Sequence, residues 1–289
     1  MAALLALVSS LMWGVGDFIG GLASRRATAL QVLAINTPVG WLLVLPVAIL
    51  MGGDSAGSMW PGLAAGVCGS LGILALYAAL TIGPMGVLSP VSAVLGAAIP
   101  VVVGLALGER PGAWAYAGML VAAVAIVTVG LEPQAPTDDA RHQRVTPRAL
   151  TLAILAGVGI GLFFTFISFA PDDAGLWPVV WSRGMSMVVI GALTVALFVR
   201  SRERMIPSGR SVLLLAAGAG VLDVAANAIY VLALQVPGGL LSVIAVLGSL
   251  YPAATVLLAR FVLAERLRPL QKLGMVLALA ASAMLALGA

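Results

Sequence analysis

The sequence predicts an all-α polytopic membrane protein, with ten transmembrane helices in two inverted five-helix repeats. Three observations carry this expectation. First, 62% of the 289 residues are hydrophobic and 9% are charged, against about 45–50% apolar and about 25% charged in ordinary soluble domains. A soluble globule of this composition lacks the polar side chains to cover its surface, and disordered chains are poor in apolar residues. Second, long stretches carry no acidic or basic side chain: Ser55 to Gly108 is 54 residues and Val224 to Ala259 is 36. One helical span of the hydrocarbon core needs about 20, and neither run alternates apolar and polar residues as barrel strands do. Third, the two halves of the chain repeat each other with an odd number of spans.

The spans fall, in order, at 3–22, 30–51, 60–82, 85–107, 113–131, 148–169, 176–199, 211–234, 237–260 and 270–288. The first has no basic residues ahead of it, so it does not read as a cleavable signal peptide. Arg25 and Arg26 separate it from the second. The first charge-free run holds the third and fourth, parted at Gly83-Pro84-Met85-Gly86. The fifth follows Glu109-Arg110 and closes the first repeat, residues 1–131. Residues 132–147 form the long polar linker, with Pro133, Pro136, Asp138, Asp139, Arg141, His142, Arg144 and Pro147. The second repeat, 148–289, holds the sixth to tenth spans; its charge-free run completes the eighth and adds the ninth, parted at Pro237-Gly238-Gly239.

The halves align residue by residue. Tyr77, Pro84, Gly86, Leu88 and Ser89 match Tyr230, Pro237, Gly239, Leu241 and Ser242 at one offset. Ala93-Val94-Leu95-Gly96 with Pro100 matches Ala245-Val246-Leu247-Gly248 with Pro252, and Glu109-Arg110 and Gly118-Met119 match Glu265-Arg266 and Gly274-Met275. A five-span repeat must place its second copy upside down. Inverted repeats recur in secondary transporters, whose substrate binds near the midplane between the halves. Thirteen of the 15 basic residues fall after the first, fifth, seventh and ninth spans. The positive-inside rule puts those loops in the cytoplasm and both termini outside, in a cell's inner (plasma) membrane. The net charge of +4 therefore reflects orientation and gives no reason to expect nucleic acid.

These features resemble the drug/metabolite transporter superfamily, specifically its EamA-like ten-helix branch. The resemblance rests on Leu107-Gly108-Glu109-Arg110 and Leu263-Ala264-Glu265-Arg266, each followed by a span with Gly118 or Gly274, and on Met12-Trp13-Gly14 in the first span. It implies a carrier whose central cavity is lined by spans 1, 3, 4, 6, 8 and 9, and it names no single solute. Many relatives are thought to keep both termini in the cytoplasm, whereas the arginines here place them outside.

Ionisable groups within spans are costly and mark functional candidates. There are three: Asp17, Arg183 and Asp223. Asp223 lies about 18 Å into the eighth span and Arg183 about 10 Å into the seventh from the opposite end, so at similar depth the two could pair, either as a structural lock or as part of a site. Asp223, Asn227 and Tyr230 share one helical face, which reads as a cavity wall or as a stripe bonding neighbouring helices. Asp17 shares a face with Trp13. A carboxylate at its depth needs a partner or takes up a proton, which suits a proton-coupled carrier; a surface arginine is the alternative partner. Trp13, Tyr77, Phe163, Phe164 and Tyr230 are the aromatic candidates for holding an organic solute, and Trp60, Trp114 and Trp177 fit the interfacial belt. The substrate-binding set is thus Trp13, Asp17, Tyr77, Phe164, Arg183, Asp223, Asn227 and Tyr230. Arg183 with the two acids would suit a zwitterion. Glu109 and Glu265 read as caps of the helices that follow them. Pro100 and Pro252 should break the backbone ladder of their helices. The Gly16/Gly20, Gly62/Gly66 and Gly157/Gly161 spacings serve either internal packing or dimerisation, leaving monomer and homodimer open.

An enzyme is disfavoured. One histidine, one cysteine, and acidic pairs only in loops leave no metal-ligand spacing, phosphate loop or nucleophile–base pair, and nothing calls for a cofactor. The expectation is a secondary active carrier of a small organic metabolite, its partners that solute and the bilayer. The alternatives are a lipid-flipping or structural membrane protein, or a membrane-embedded enzyme.

Overall fold

A computed structural model describes residues 1–24, 26–83, 85–130, 146–201, 206–207, 209–262 and 269–288. Expectations resting on Arg25, Pro84, residues 132–145 of the linker, Arg202, Arg204 and the 263–268 segment with Glu265-Arg266 lie outside these. The described residues form helices and no strands: α1 (Ala2–Ser24), α2 (Ala29–Met51), α3 (Met59–Ile82), α4 (Met85–Ala106), α5 (Ala113–Gly130), α6 (Pro147–Ile167), α7 (Trp177–Ser201), α8 (Arg210–Leu234), α9 (Leu241–Gly248), α10 (Tyr251–Val262) and α11 (Pro269–Gly288). Six of them, α1, α2, α3, α6, α7 and α8, are long and apolar enough to cross a membrane. The others include shorter apolar stretches.

Local chemistry sets the ends. Thr28 caps α2 in a reciprocal box with Gln31, each side chain bonding the other's backbone. This satisfies two amides that the first helical turn leaves free. Gly52, at φ 74°, closes α2 in a conformation that side chains with a Cβ rarely adopt. Thr146 caps α6, with Pro147 in its first turn, where the missing proline N–H costs nothing. The ninth span is two helices: Ser249 and Leu250 leave the regular ladder, and α10 restarts at Tyr251-Pro252. Pro100 has no such effect. α4 runs through it unbroken, so the expected break occurs in one copy only; a proline removes a single donor, and the α4 ladder carries that loss.

Association of helices in lipid depends on close packing of small residues, because lipid tails are as apolar as leucine. The glycine pairs do this inside the molecule. A Cβ at Gly62 would lie 2.6 Å from the Trp181 Cβ, and one at Gly66 would collide with the Ser182 carbonyl oxygen, both on α7. Gly157 and Gly161 meet α4 at Leu95 and Ile99 in the same way, while Gly16 faces α8 and Gly20 faces the Tyr77 hydroxyl of α3. All three spacings therefore serve internal contacts. Gly118 of α5 packs on Leu285 of α11. Large apolar side chains such as Leu42, Leu50, Val188, Leu214 and Leu279 stay exposed, forming an outer surface suited to lipid rather than water.

The principal contacts run α1 with α8 and α10, α2 with α7 and α8, α3 with α6 and α7, α4 with α6 and α9, and α5 with α11. Exchanging the two halves of the chain maps this pattern onto itself. The loops meet at two ends. At one, the Asp54 amide donates to the Asp173 carbonyl, Gln235 donates to the Gly175 carbonyl, and Glu109 accepts from the amides of Leu241 and Ser242. At the other, Arg26 donates to Ser211.

Candidate functional site

A cavity lies among α1, α2, α3, α6, α7, α8 and α10. Its volume of about 80 Å³ exceeds the roughly 10–15 Å³ that a single water requires. The helices expected to line it were the first, third, fourth, sixth, eighth and ninth. Among the described residues α2 and α7 contribute and α4 does not. The strands of contact explain this: α2 and α7 pack on each other and on α3 and α8, which brings their polar faces inward.

The charged wall is built from three helices. Seven residues into α7, Arg183 is 9% exposed, and its Nη1 lies 2.7 Å from Asp223 Oδ2 on α8. The pairing inferred from depth is therefore present. The arginine stem passes close to α2 at Gly40, where a Cβ would sit 3.6 Å from Arg183 Cδ, an ordinary contact. The other Asp223 oxygen, Oδ1, accepts from the Trp13 indole Nε1 at 3.2 Å and from Asn227 Nδ2 at 2.9 Å. One carboxylate thus receives an arginine, an indole and an amide, the pairing that a buried charge requires. Two polar atoms of this network have no partner although buried: Arg183 Nε and Asn227 Oδ1. A buried polar atom left unpaired costs about 1–3 kcal/mol.

Asp17, one turn beyond Trp13 on α1, also lines the cavity. It forms no hydrogen bond or ion pair among the described residues. It does not pair with a surface arginine there. Gly14 lets α1 approach α10, where a Cβ would lie 2.5 Å from that of Ala254, and Thr255 bonds the Gly14 carbonyl at 3.1 Å.

The aromatic wall is a stack. Phe164 and Tyr230 lie with centroids 4.8 Å apart, and Trp13 meets them at 5.3 and 5.4 Å. Trp13, Phe163 and Phe164 reach the cavity. Tyr230 and Tyr77 do not line it. Tyr230 is fully buried behind Trp13 and Phe164, with its hydroxyl unpartnered. Tyr77 is 2% exposed, its hydroxyl against Gly20 and within the fields of Asp17, Asp223 and Arg183. Of the eight expected residues, the cavity brings together Trp13, Asp17, Phe164, Arg183, Asp223 and Asn227. It adds Tyr251, bonded to Ser92 of α4 at 3.2 Å, and the hydroxyls of Thr37, Ser70, Ser182 and Ser186. Ser182 and Ser186, flanking Arg183 four residues apart, form a polar stripe that the sequence displays. Ser70 gives no such signal among its apolar neighbours, whereas Thr37 stands beside Asn36, a polar pair within an apolar span that the sequence reading passed over.

A family model described as the EamA-like transporter family matches residues 1–131 and 147–287. Among the solved structures it resembles is a crystal structure of a protein that shares the fold at a TM-score of 0.71 and 18% identity, over 99% of this chain and 96% of that one. No curated protein matches the sequence.

Proposed function

The chain belongs to the EamA-like transporter family, and from that premise we propose that it is a secondary active carrier which moves a small organic solute by alternating access. In this reading ten spans form two inverted five-helix halves, 1–131 and 148–289, with 132–147 as linker. The self-mapping pattern of helix contacts supports it, as does the meeting of loops at two ends. The single observation that carries the reading is the cavity between the halves, where an ion pair, an unpaired acid and two unpartnered buried polar atoms converge.

Asp223 has its oxygens filled by Arg183, Trp13 and Asn227, so it positions the arginine and the indole. The solute meets Asp17 and the guanidinium of Arg183. Asp17 also suits proton coupling: an isolated acid in a span is cheapest when neutralised, by a proton in one half-cycle and by solute in the other. The basic loops lie in the cytoplasm.

The test is flux. A solute identified by thermal shift on purified protein, since ligands raise the apparent stability of the state they bind, is followed into proteoliposomes. Arg183→Gln and Asp17→Asn should each slow its uptake at least about tenfold, the equivalent of ~1.4 kcal/mol. Unchanged flux in both variants would remove the cavity from the transport path.

A further inference from the structure

The two halves are joined by a polar seam at the end that carries Asp54, Glu109, Asp172 and Asp173. The Asp54 amide donates to the Asp173 carbonyl at 3.2 Å, and the Trp181 indole donates to the Ser55 carbonyl at 2.9 Å. Glycines bring the same loops together: a Cβ at Gly53 would lie 2.6 Å from the Ala174 carbonyl oxygen, and one at Gly175 would lie 2.7 Å from that of Gly52. A charged contact also crosses this seam. The two carboxylate oxygens of Glu109 accept from the amides of Leu241 and Ser242 at 2.6 and 3.1 Å.

Glu109 is fixed to one half and grips the other. Gly108, at φ 96°, turns the chain out of α4 in the left-handed region. The Gly108 amide donates to the Leu105 carbonyl and the Glu109 amide to that of Gly104. These are the two bonds of a Schellman motif, so the backbone of the glutamate is tied to α4. Its carboxylate folds back over Gly104, where a Cβ would lie 2.5 Å from Oε2. The helix it grips, α9, is buried along its whole length and has no side-chain cap of its own. α9 parts from α10 at Ser249 and Leu250, directly before Tyr251 of the cavity wall. It therefore runs from the seam to the cavity and ends at a break, where a few element-terminal residues can absorb a change of backbone direction.

Alternating access requires the cavity to open toward each end in turn, and opening at the seam parts α9 from α4. The Glu109 contact suits a bond that is made and broken. Charge-assisted hydrogen bonds are about twice as strong as neutral ones. Glu109 is only partly buried, so water entering a parted seam takes over both the carboxylate and the amides it leaves.

We propose that Glu109 is the latch of this seam: its carboxylate holds α9 against α4 while the cavity is shut off from that end, and opening releases the cap as α9 swings about the Ser249–Leu250 break. This rests on the alternating-access reading and deepens it by naming the contact that must be released.

The latch is tested by distance. Cysteines replace Arg110 and Pro237, exposed positions on either side of the seam, with Cys68 replaced by alanine. The full-length protein is spin-labelled in lipid nanodiscs and read by pulsed electron paramagnetic resonance. Glu109→Gln keeps the side chain's shape and removes its charge and one acceptor. Gly104→Ala keeps the glutamate and drives a methyl group into its carboxylate, although alanine is the better helix former. Each should raise the ratio of long to short distances at least about tenfold, as expected for loss of a charged hydrogen bond. A cap with no part in gating would lower the melting temperature and leave the ratio alone; that result in either folded variant would overturn the proposal. A bis-maleimide bridge between the same two cysteines tests it with Glu109 and Gly104 intact. The bridge should stop the flux of a solute carried into proteoliposomes, and undiminished flux through bridged protein would overturn the latch as well. Flux in the unbridged protein with an unmoved ratio would refute the latch and leave the carrier standing; absence of flux for every solute would refute the carrier.

Discussion

Asp223 shows how one residue organises a membrane interior. Its carboxylate holds three donors from α1, α7 and α8, so removing it strands a buried guanidinium. Breaking a buried pair from one side costs about 3–5 kcal/mol, while replacing both partners with apolar residues of similar volume is close to neutral; because the side chains are 11% and 22% exposed, the lower end applies. Asp223→Asn and Arg183→Gln should each lower the melting temperature in detergent. The double variant Arg183→Met/Asp223→Leu should melt above either single one, yet carry no solute. If the double variant were the least stable, the pair would be contributing more than mutual neutralisation. The three ionisable residues were legible because charge is rare inside a span. Apart from Ser182 and Ser186 beside Arg183, the hydroxyls were not: serine and threonine are common in spans, and only packing decides which ones face a cavity.

Glu109 shows the same logic for an element. As an acid just after a span it was expected to cap the helix that follows. It does cap a helix, but in the other half of the chain: Leu241 N donates to its Oε1 at 2.6 Å and Ser242 N to its Oε2 at 3.1 Å. The helix so capped, α9, is eight residues long and entirely buried, with no side-chain cap from its own Leu240. A carboxylate at a helix N-terminus satisfies free amides and faces the positive end of the dipole. Glu109→Ala should therefore cost about 1–2 kcal/mol, read as a lowered melting temperature, and Glu109→Gln should recover part of it. A full loss confined to Arg110→Ala instead would argue against the cap. Most helix boundaries were plain in the sequence, since apolar runs and their Pro-Gly breaks mark span ends. The division of the ninth span into α9 and α10 was legible only as a proline, and the matching Pro100 broke nothing.

For the molecule as a whole, the two ends differ in charge. Among the described residues, Asp54, Glu109, Asp172 and Asp173 stand at one end with Arg110, and Arg26, Arg148, Arg200, Arg210 and Lys272 at the other. In the orientation proposed from the positive-inside rule, the basic end faces the cytoplasm. With Cys68 replaced by alanine, a cysteine at Asp172 should react in intact cells with a membrane-impermeant maleimide, and one at Arg148 only after lysis; the reverse pattern would invert the orientation. The sequence by itself determined that the chain is an all-helical membrane protein and where most of its helices run, because hydrophobicity, breakers and charge are local and additive along a chain. Tertiary structure alone decided that α2 and α7 line the cavity in place of α4, that Tyr77 and Tyr230 stand behind its wall, and that Glu109 caps a helix 132 residues away. Those outcomes depend on which faces of which helices meet, and in lipid that is settled by the fit of small residues across many contacts at once, which no local pattern encodes.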